Sequence, residues 1–376
     1  MLRVRTYLLL MSCLMLFLPG VIYAGAELQN QLKGHASPYL ALHGEDPVHW
    51  QTWGPQTIAS ARKSNKLMFV SSGYFSCHWC HVMQRESYKN KAIAQILNER
   101  FIPIKIDREL EPVLDEWLMA FIQETRGHGG WPLNVFLTPQ GHPLVGVLYL
   151  PPEQFKDYLL KLDHIWNQDR QGLTETAANA AWVMNKRQQV AQGLIPDIQP
   201  FELEQQLNSQ ALKIADEMAG GFGQQTKFPL SPQLSALLTL YAKQSSQQMG
   251  DFLSLTLQQM ADNGLYDRLG GGFYRYTVDP YWRIPHFEKM LYDNAQLVAV
   301  YFRAAEIFSR PEFENTAFFT LDFLLREMST DEGGFVASLS AVDEQDREGA
   351  YYLWDRETLH EILSDQEYDI AIMAWG

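Results

Sequence analysis

Two cysteines at the junction of an apolar strand and a helix constrain this chain more than any other feature. Lys66-Leu-Met-Phe-Val-Ser-Ser-Gly73 reads as a short buried strand, and Val82-Met-Gln-Arg-Glu-Ser-Tyr88 reads as a helix. Cys77-His78-Trp79-Cys80-His81 lies between them. A first thiol at such a junction sits at the positive end of a helix dipole, which lowers its pKa and makes it a nucleophile near neutral pH. The one other cysteine is Cys13, inside an apolar N-terminal stretch.

Strand and helix signals alternate around this junction. Helices are expected over residues 55–64 and 90–99, then from the second strand to about Thr125, and again from Pro152. Phe101-Ile-Pro-Ile-Lys-Ile-Asp107 reads as a second buried strand and Trp131-Pro-Leu-Asn-Val-Phe-Leu-Thr138 as a third. The turn Pro139-Gln-Gly141 leads to a hairpin partner over 144–150. This order predicts an α/β domain over 27–170 with a mixed sheet. Residues 171–200, rich in Gln, Ala and Asn and closed by Pro196 and Pro200, predict a helical connector and linker. From 201 to 376 the pattern is almost wholly helical, with candidates over about 201–218, 232–246, 250–263, 288–308, 312–328 and 355–364. Gly-Gly-Phe loops recur at Phe222, Phe273 and Phe335, the sign of stacked helical hairpins.

Residues 1–26 have the form of an export signal. Arg3 and Arg5 supply a basic start, Tyr7 to Leu18 an apolar stretch, and Ala24-Gly25-Ala26 a small-residue cleavage site. A periplasmic or extracellular location is therefore expected, with an uncleaved anchor as the alternative. The apolar run is shorter than the roughly 20 residues of a comfortable span, and no later segment reads as an integral membrane span. The net charge of −14 argues against nucleic-acid partners and polybasic membrane binding.

Three chemistries suit the cysteine pair. Reversible dithiol exchange needs a nucleophilic thiolate and a second thiol to resolve the mixed disulfide. Haem attachment needs C-x-x-C-H, which His81 completes. Structural zinc needs two further ligands, for which His78, His81 and His128 are the candidates. The continuous βα pattern leaves no room for a haem, so thiol–disulfide exchange is the preferred reading, with no cofactor and no metal. Cys77 is then the attacking thiolate and Cys80 the resolving one. His78 is placed to move protons, and Trp79 to offer an apolar contact surface. Gly129-Gly-Trp-Pro132 supports this, because Pro132 enters the third strand as a candidate cis proline that presents a backbone edge to a substrate. Partners on this reading are protein or small-molecule dithiols and disulfides.

The order strand, C-x-x-C helix, strand, helix, cis-proline strand and hairpin resembles the thioredoxin fold. Gly34-His-Ala-Ser-Pro-Tyr-Leu40, Cys77-His-Trp-Cys-His-Val-Met83 and Gly129-Gly-Trp-Pro-Leu-Asn-Val-Phe-Leu-Thr-Pro139 resemble the thioredoxin-domain family typified by spermatogenesis-associated protein 20. Lys227-Phe-Pro229, Leu269-Gly-Gly-Gly-Phe-Tyr274 and Pro285-His-Phe-Glu-Lys-Met-Leu-Tyr-Asp-Asn294 resemble that family's helical domain. The resemblance implies a thioredoxin-like domain followed by an all-α, partial (α/α)6-toroid-like domain akin to six-hairpin glycosidases and epimerases. Two departures limit what carries over. Ser71 stands where thioredoxins carry a buried acid, and the helical candidates are too few to close a toroid.

The helical half has its own candidates. Asp267, Asp279, Glu288 and Asp293 lie close in sequence to His286, Trp282, Tyr274 and Tyr292. Paired carboxylates with aromatics suit acid–base work on a sugar. The alternative reading is thus a carbohydrate-binding or carbohydrate-modifying protein using His286, Glu288, Trp282 and Asp293, with the thioredoxin-like half a structural appendage.

Overall fold

A computed structural model describes residues 28–193 and 199–375 apart from Glu344 and Asp346. The expected export signal and Cys13 lie outside the described residues, as does the end of the connector. The chain opens with α1 (Pro38–Leu42), α2 (Pro55–Ser64), β1 (Met68–Gly73), α3 (His78–Met83), α4 (Lys91–Arg100) and β2 (Ile102–Asp107). There follow α5 (Pro112–Arg126), β3 (Leu133–Leu137), β4 (Pro143–Val147), α6 (Pro152–Gln168) and α7 (Arg170–Gly193).

The four strands form one sheet in the order β2-β1-β3-β4. β1 runs parallel to β2 and antiparallel to β3, and β3 pairs antiparallel with β4. Every residue of β1, β2 and β3 is buried. That explains why these strands read as continuous apolar runs rather than alternating ones. One face carries Met68, Val70, Ile104 and Val135 against Leu118, Phe121 and Ile122 of α5. The other carries Phe69 and Phe136 against Trp50, Tyr88, Phe155 and Leu159. Helix starts follow their caps: the Ser37 hydroxyl accepts from the Leu40 amide, and Asn90 from Ala92 and Ile93. After α3 the helix widens into one π turn over Gln84–Tyr88, which carries Tyr88 into the core. The connector is helical, as its composition suggested, and α7 packs back on β4.

The second half holds α8 (Pro200–Ile214), α9 (Ser231–Gln244), α10 (Gln247–Asp262), α11 (Leu291–Phe308), α12 (Pro311–Phe323), α13 (Arg356–Ile362) and α14 (Asp365–Trp375). Two-residue strands β5 (Tyr276–Thr277), β6 (Pro285–His286), β7 (Lys289–Met290) and β8 (Ser338–Leu339) lie in its loops. α9, α10, α11 and α12 pack on one another around Leu237, Leu257, Phe273, Trp282 and Tyr301.

The Gly-Gly-Phe recurrence is a structural repeat. Ala215 bridges Phe222, Tyr266 bridges Phe273 and Ser329 bridges Phe335. In the first two turns an aspartate closes the loop through backbone amides: Asp216 accepts from Met218 and Ala219, and Asp267 from Leu269 and Gly270. Each aspartate also pairs with a buried lysine, Lys227 to Asp216 at 2.6 Å and Lys289 to Asp267 at 2.7 Å. Both lysines reach a glycine carbonyl of the same turn and lie against aromatic rings. Gly271 and Gly272 take φ of +81° and +80°, and a Cβ on Gly272 would fall 2.5 Å from the Phe323 ring. Only glycine meets both demands.

Candidate active site

Cys77 and Cys80 are joined as a disulfide, with Cα atoms 5.3 Å apart. Cys77 is the N-cap of α3, and its sulfur accepts from the Cys80 amide at 3.2 Å. Cys80 is fully buried and Cys77 is 3% exposed. β3 runs antiparallel to β1 with Leu133 opposite Ser72, so the start of β3 lies beside the end of β1 that leads to Cys77. The Trp131–Pro132 peptide is cis, as the Gly-Gly-Trp-Pro element suggested. Trp79 is 45% exposed and packs on Tyr149 with ring centroids 4.9 Å apart.

The helical half comes down directly on this loop. Met290 packs in one core cluster with Tyr74, Cys77 and Cys80, and the Ser76 hydroxyl lies 3.7 Å from its sulfur. The Glu288 carboxylate accepts from the His78 amide at 3.3 Å and from the Tyr74 hydroxyl at 3.0 Å. Arg275 pairs with Glu288 at 3.1 Å and also donates to the Tyr74 hydroxyl. His286 spans two carboxylates, Nε2 to Glu288 at 3.0 Å and Nδ1 to Glu348 at 2.8 Å. The other Glu348 oxygen lies 3.6 Å from His78 Nε2. A clasp of alternating charge therefore closes over the first turn of α3.

The charges in the clasp hold one another. Burial opposes a charge on His286, yet hydrogen bonds to Glu288 and Glu348 raise its pKa to about 9. Burial likewise works against ionised Glu288, but bonds from His286 and Tyr74 and the charge of Arg275 bring it below the ordinary carboxylate value. Burial pulls His78 down. Beside the clasp, Asp293 is pushed up to about 6 by burial, with Arg275 opposing and Glu288 adding to the rise. Arg108 lies over Trp131 at 4.3 Å and over Tyr74 at 5.3 Å, walling the same region.

Beneath Cys80 the wall is unusual. Ser71 pairs with Lys105 across β1 and β2, and the Lys105 ammonium donates to the Ser71 hydroxyl at 2.9 Å. Lys105 is 1% exposed and lies among the rings of Tyr39, Trp50 and Tyr88 at 4.8–5.3 Å. Ser71 also bonds Tyr88, which donates to Asn134. A Cβ on Gly73 would fall 2.2 Å from the Tyr39 hydroxyl and 2.7 Å from the Cys80 sulfur. Glycine at 73 thus leaves that phenol and that sulfur as neighbours.

The structure sorts the sequence candidates. Cys77, His78, Cys80, His286 and Glu288 converge on one place, with Trp79 at its rim and Asp293 beside Arg275. Trp282 does not belong with them. It is fully buried, its indole donates to the Ala219 carbonyl, and it has no face open to a ligand. Asp267 and Asp279 serve their loops, Asp279 accepting from the amides of Tyr281, Arg283 and Ile284. Sequence reasoning missed Tyr74, Arg275, Glu348, Tyr39 and Lys105 as site residues. Only Lys105 left a signal, a cation inside the apolar run of β2.

Residues 29–185 match the family described as Thioredox_DsbH, protein of unknown function, DUF255. Those residues form the thioredoxin-like domain, in which the chain is similar to that family. Over 369 residues the chain is 36% identical to an uncharacterized protein of Caenorhabditis elegans, covering 93% of this chain and 50% of that protein. Over 355 residues it is 37% identical to spermatogenesis-associated protein 20 of Rattus norvegicus, covering 89% of this chain and 45% of that protein. The similarity to these relatives runs through both the thioredoxin-like domain and the helical half, and the chain spans about half their length. The structure of cellobiose 2-epimerase from Spirochaeta thermophila DSM 6192 is similar with a TM-score of 0.33 and 18% identity, over 37% of this chain and 39% of that one.

Proposed function

We propose that this chain is an exported thiol–disulfide oxidoreductase whose substrates are protein or small-molecule dithiols and disulfides. The observation that carries the reading is the Cys77–Cys80 pair itself, bonded at the N-cap of α3 with Cys80 fully buried. In the reducing direction the Cys77 thiolate attacks a substrate disulfide, forming a mixed disulfide and releasing one substrate thiolate. The Cys80 thiolate then attacks the Cys77 sulfur, forming the internal disulfide and releasing the second substrate thiolate. The reverse sequence oxidises a substrate dithiol. The N-terminal dipole of α3 favours the Cys77 thiolate, and the adjoining edge at Pro132 offers backbone to an extended substrate.

The carbohydrate reading loses ground to the geometry. Its residues His286 and Glu288 are engaged with each other and with the Tyr74–His78 loop, and Trp282 is buried. His286 and Glu288 instead roof the dithiol, so a substrate sulfur reaches Cys77 as the clasp loosens. Export rests on residues 1–26, whose cleavage is read by N-terminal sequencing of the secreted or periplasmic fraction. The activity is tested by disulfide reduction of insulin: wild type accelerates it, Cys77→Ser abolishes it, and equal rates for the two remove the proposal.

A further inference from the structure

Cys80 has a chemical requirement that its surroundings must meet. Reduction leaves its thiol fully buried, and resolution of a mixed disulfide needs it as the thiolate. Burial raises a thiol pKa, so the proton needs a nearby acceptor. Among the described residues the carboxylates of Asp46, Asp107 and Asp115 act on Tyr39 in this part of the core, and each is already committed. Asp46 accepts from His43, Trp50 and Gln84. Asp107 accepts from the Ser37 hydroxyl and the Glu109 amide, and Asp115 from Ser72 and Trp131. Lys105 differs from them. Among the described residues it is buried without a carboxylate ion pair, hydrogen-bonded to Ser71 and otherwise enclosed by aromatic rings.

We propose that Lys105, with Tyr39 as a neighbour it shares with Cys80, replaces a buried carboxylate as the group that manages the Cys80 proton. This rests on the thiol–disulfide reading of the site. The proton leaves the Cys80 sulfur and ends on the Lys105 amine, giving a thiolate and an ammonium and no change in net buried charge. The thiolate then attacks the Cys77 sulfur, and the substrate sulfur leaves with the electron pair of the broken bond. Among the described residues the buried Tyr39 hydroxyl has no hydrogen-bond partner in the disulfide form, so it is available to donate to the thiolate. Lys105 acts through this neighbour and is a positioning residue.

Burial lowers the Lys105 pKa to about 7, with Asp46 pulling the other way. The amine is therefore present in quantity at neutral pH. The groups that face it all hold fixed states there. Burial and the Lys105 charge take His43 down to about 3, and hydrogen bonds from His43, Gln84 and Trp50 overcome burial to keep Asp46 ionised. Burial drives Tyr39 and Tyr88 upward, to which the Asp107, Asp46 and Asp115 charges add at Tyr39. Lys105 is then the member of this cluster that changes charge near pH 7.

Reaction of the reduced full chain carrying Cys13→Ser with dithiobis(nitrobenzoate) separates the two steps, because attack by Cys77 and resolution by Cys80 then each release one chromophore. In wild type the second release should rise with pH through about 7, the first proton lost by the coupled amine–thiol pair. In Lys105→Met that midpoint should move to the ordinary thiol range of about 8.5 or above. The second release at pH 7 should fall at least about tenfold, with the first unchanged. An unchanged midpoint, or equal slowing of both releases, overturns the proposal. Should Lys105→Met fail to fold, Tyr39→Phe keeps the ring and must slow the second release alone; an unaffected second release overturns it as well. A wild type that releases a single equivalent defeats the underlying thiol reading, a result distinct from either.

Discussion

Glu288 is the residue on which the chemistry of Cys77 turns. Its carboxylate occupies the positive end of α3 through the His78 amide, the place a Cys77 thiolate would otherwise have to itself. Two anions competing for one helix terminus raise the cost of forming the second. Glu288→Gln keeps the shape and removes the charge, leaving Arg275 without its carboxylate while His286 keeps Glu348. The Cys77 thiol pKa should fall by about one unit, read from the pH dependence of alkylation of the reduced protein. A rise or no shift contradicts this assignment. Nothing in the sequence around Glu288 announced this role; its nearness to His286 suggested sugar chemistry instead. The partners that decide between the two, Tyr74 and His78, are more than two hundred positions away, beyond what local pattern can resolve.

The elements were more legible than the site. β1, β2 and β3 announced themselves because strands buried on both faces are largely apolar, with Lys105 an exception inside β2. Helix ends were readable where a cap is chemical, as at Asn90 and Ser37, and less so where the helix widens without a break, as at Gln84–Tyr88. The Gly-Gly-Phe loops showed their recurrence in sequence, but the buried lysine that ties each of the first two turns together did not. Asp267→Ala strips Lys289 of its partner and leaves a buried cation. Removing one member of such a pair costs roughly 3–5 kcal/mol, measurable by denaturant unfolding of the full chain. A loss within about 0.5 kcal/mol, the range of ordinary surface substitutions, would show that the pair does not hold the turn.

For the whole molecule the clasp joins the stability of the two halves to pH. His286 is raised from its ordinary 6.5 to about 9 by Glu288 and Glu348 against the opposing effect of burial. A group whose folded pKa is raised contributes its stability in full below the unfolded value and loses it as pH climbs through the folded one. The docked arrangement should therefore weaken between about pH 6.5 and 9. His286→Asn should flatten that slope in a series of melting temperatures; an unchanged slope would place its origin elsewhere. Loosening should also expose Cys77. Glu348→Gln, which weakens a charge-assisted bond worth about 1.5–3 kcal/mol, should speed alkylation of reduced Cys77 roughly tenfold or more at pH 7. Fold class and the position of the dithiol were both readable from residues near in sequence. The docking of one half on the other was not, because it depends on loops whose partners only folding brings together.

The central claim is that Cys77 and Cys80 form a reversible two-electron couple beneath the clasp. Equilibration of the full chain across a series of glutathione redox buffers, with mass spectrometry of the trapped species, tests it most directly. The account predicts a single transition between an intramolecular Cys77–Cys80 disulfide and the free dithiol, lost in Cys80→Ser, which should stop at a mixed disulfide on Cys77. A wild-type protein that forms no internal disulfide in any buffer, or only glutathione adducts, contradicts it.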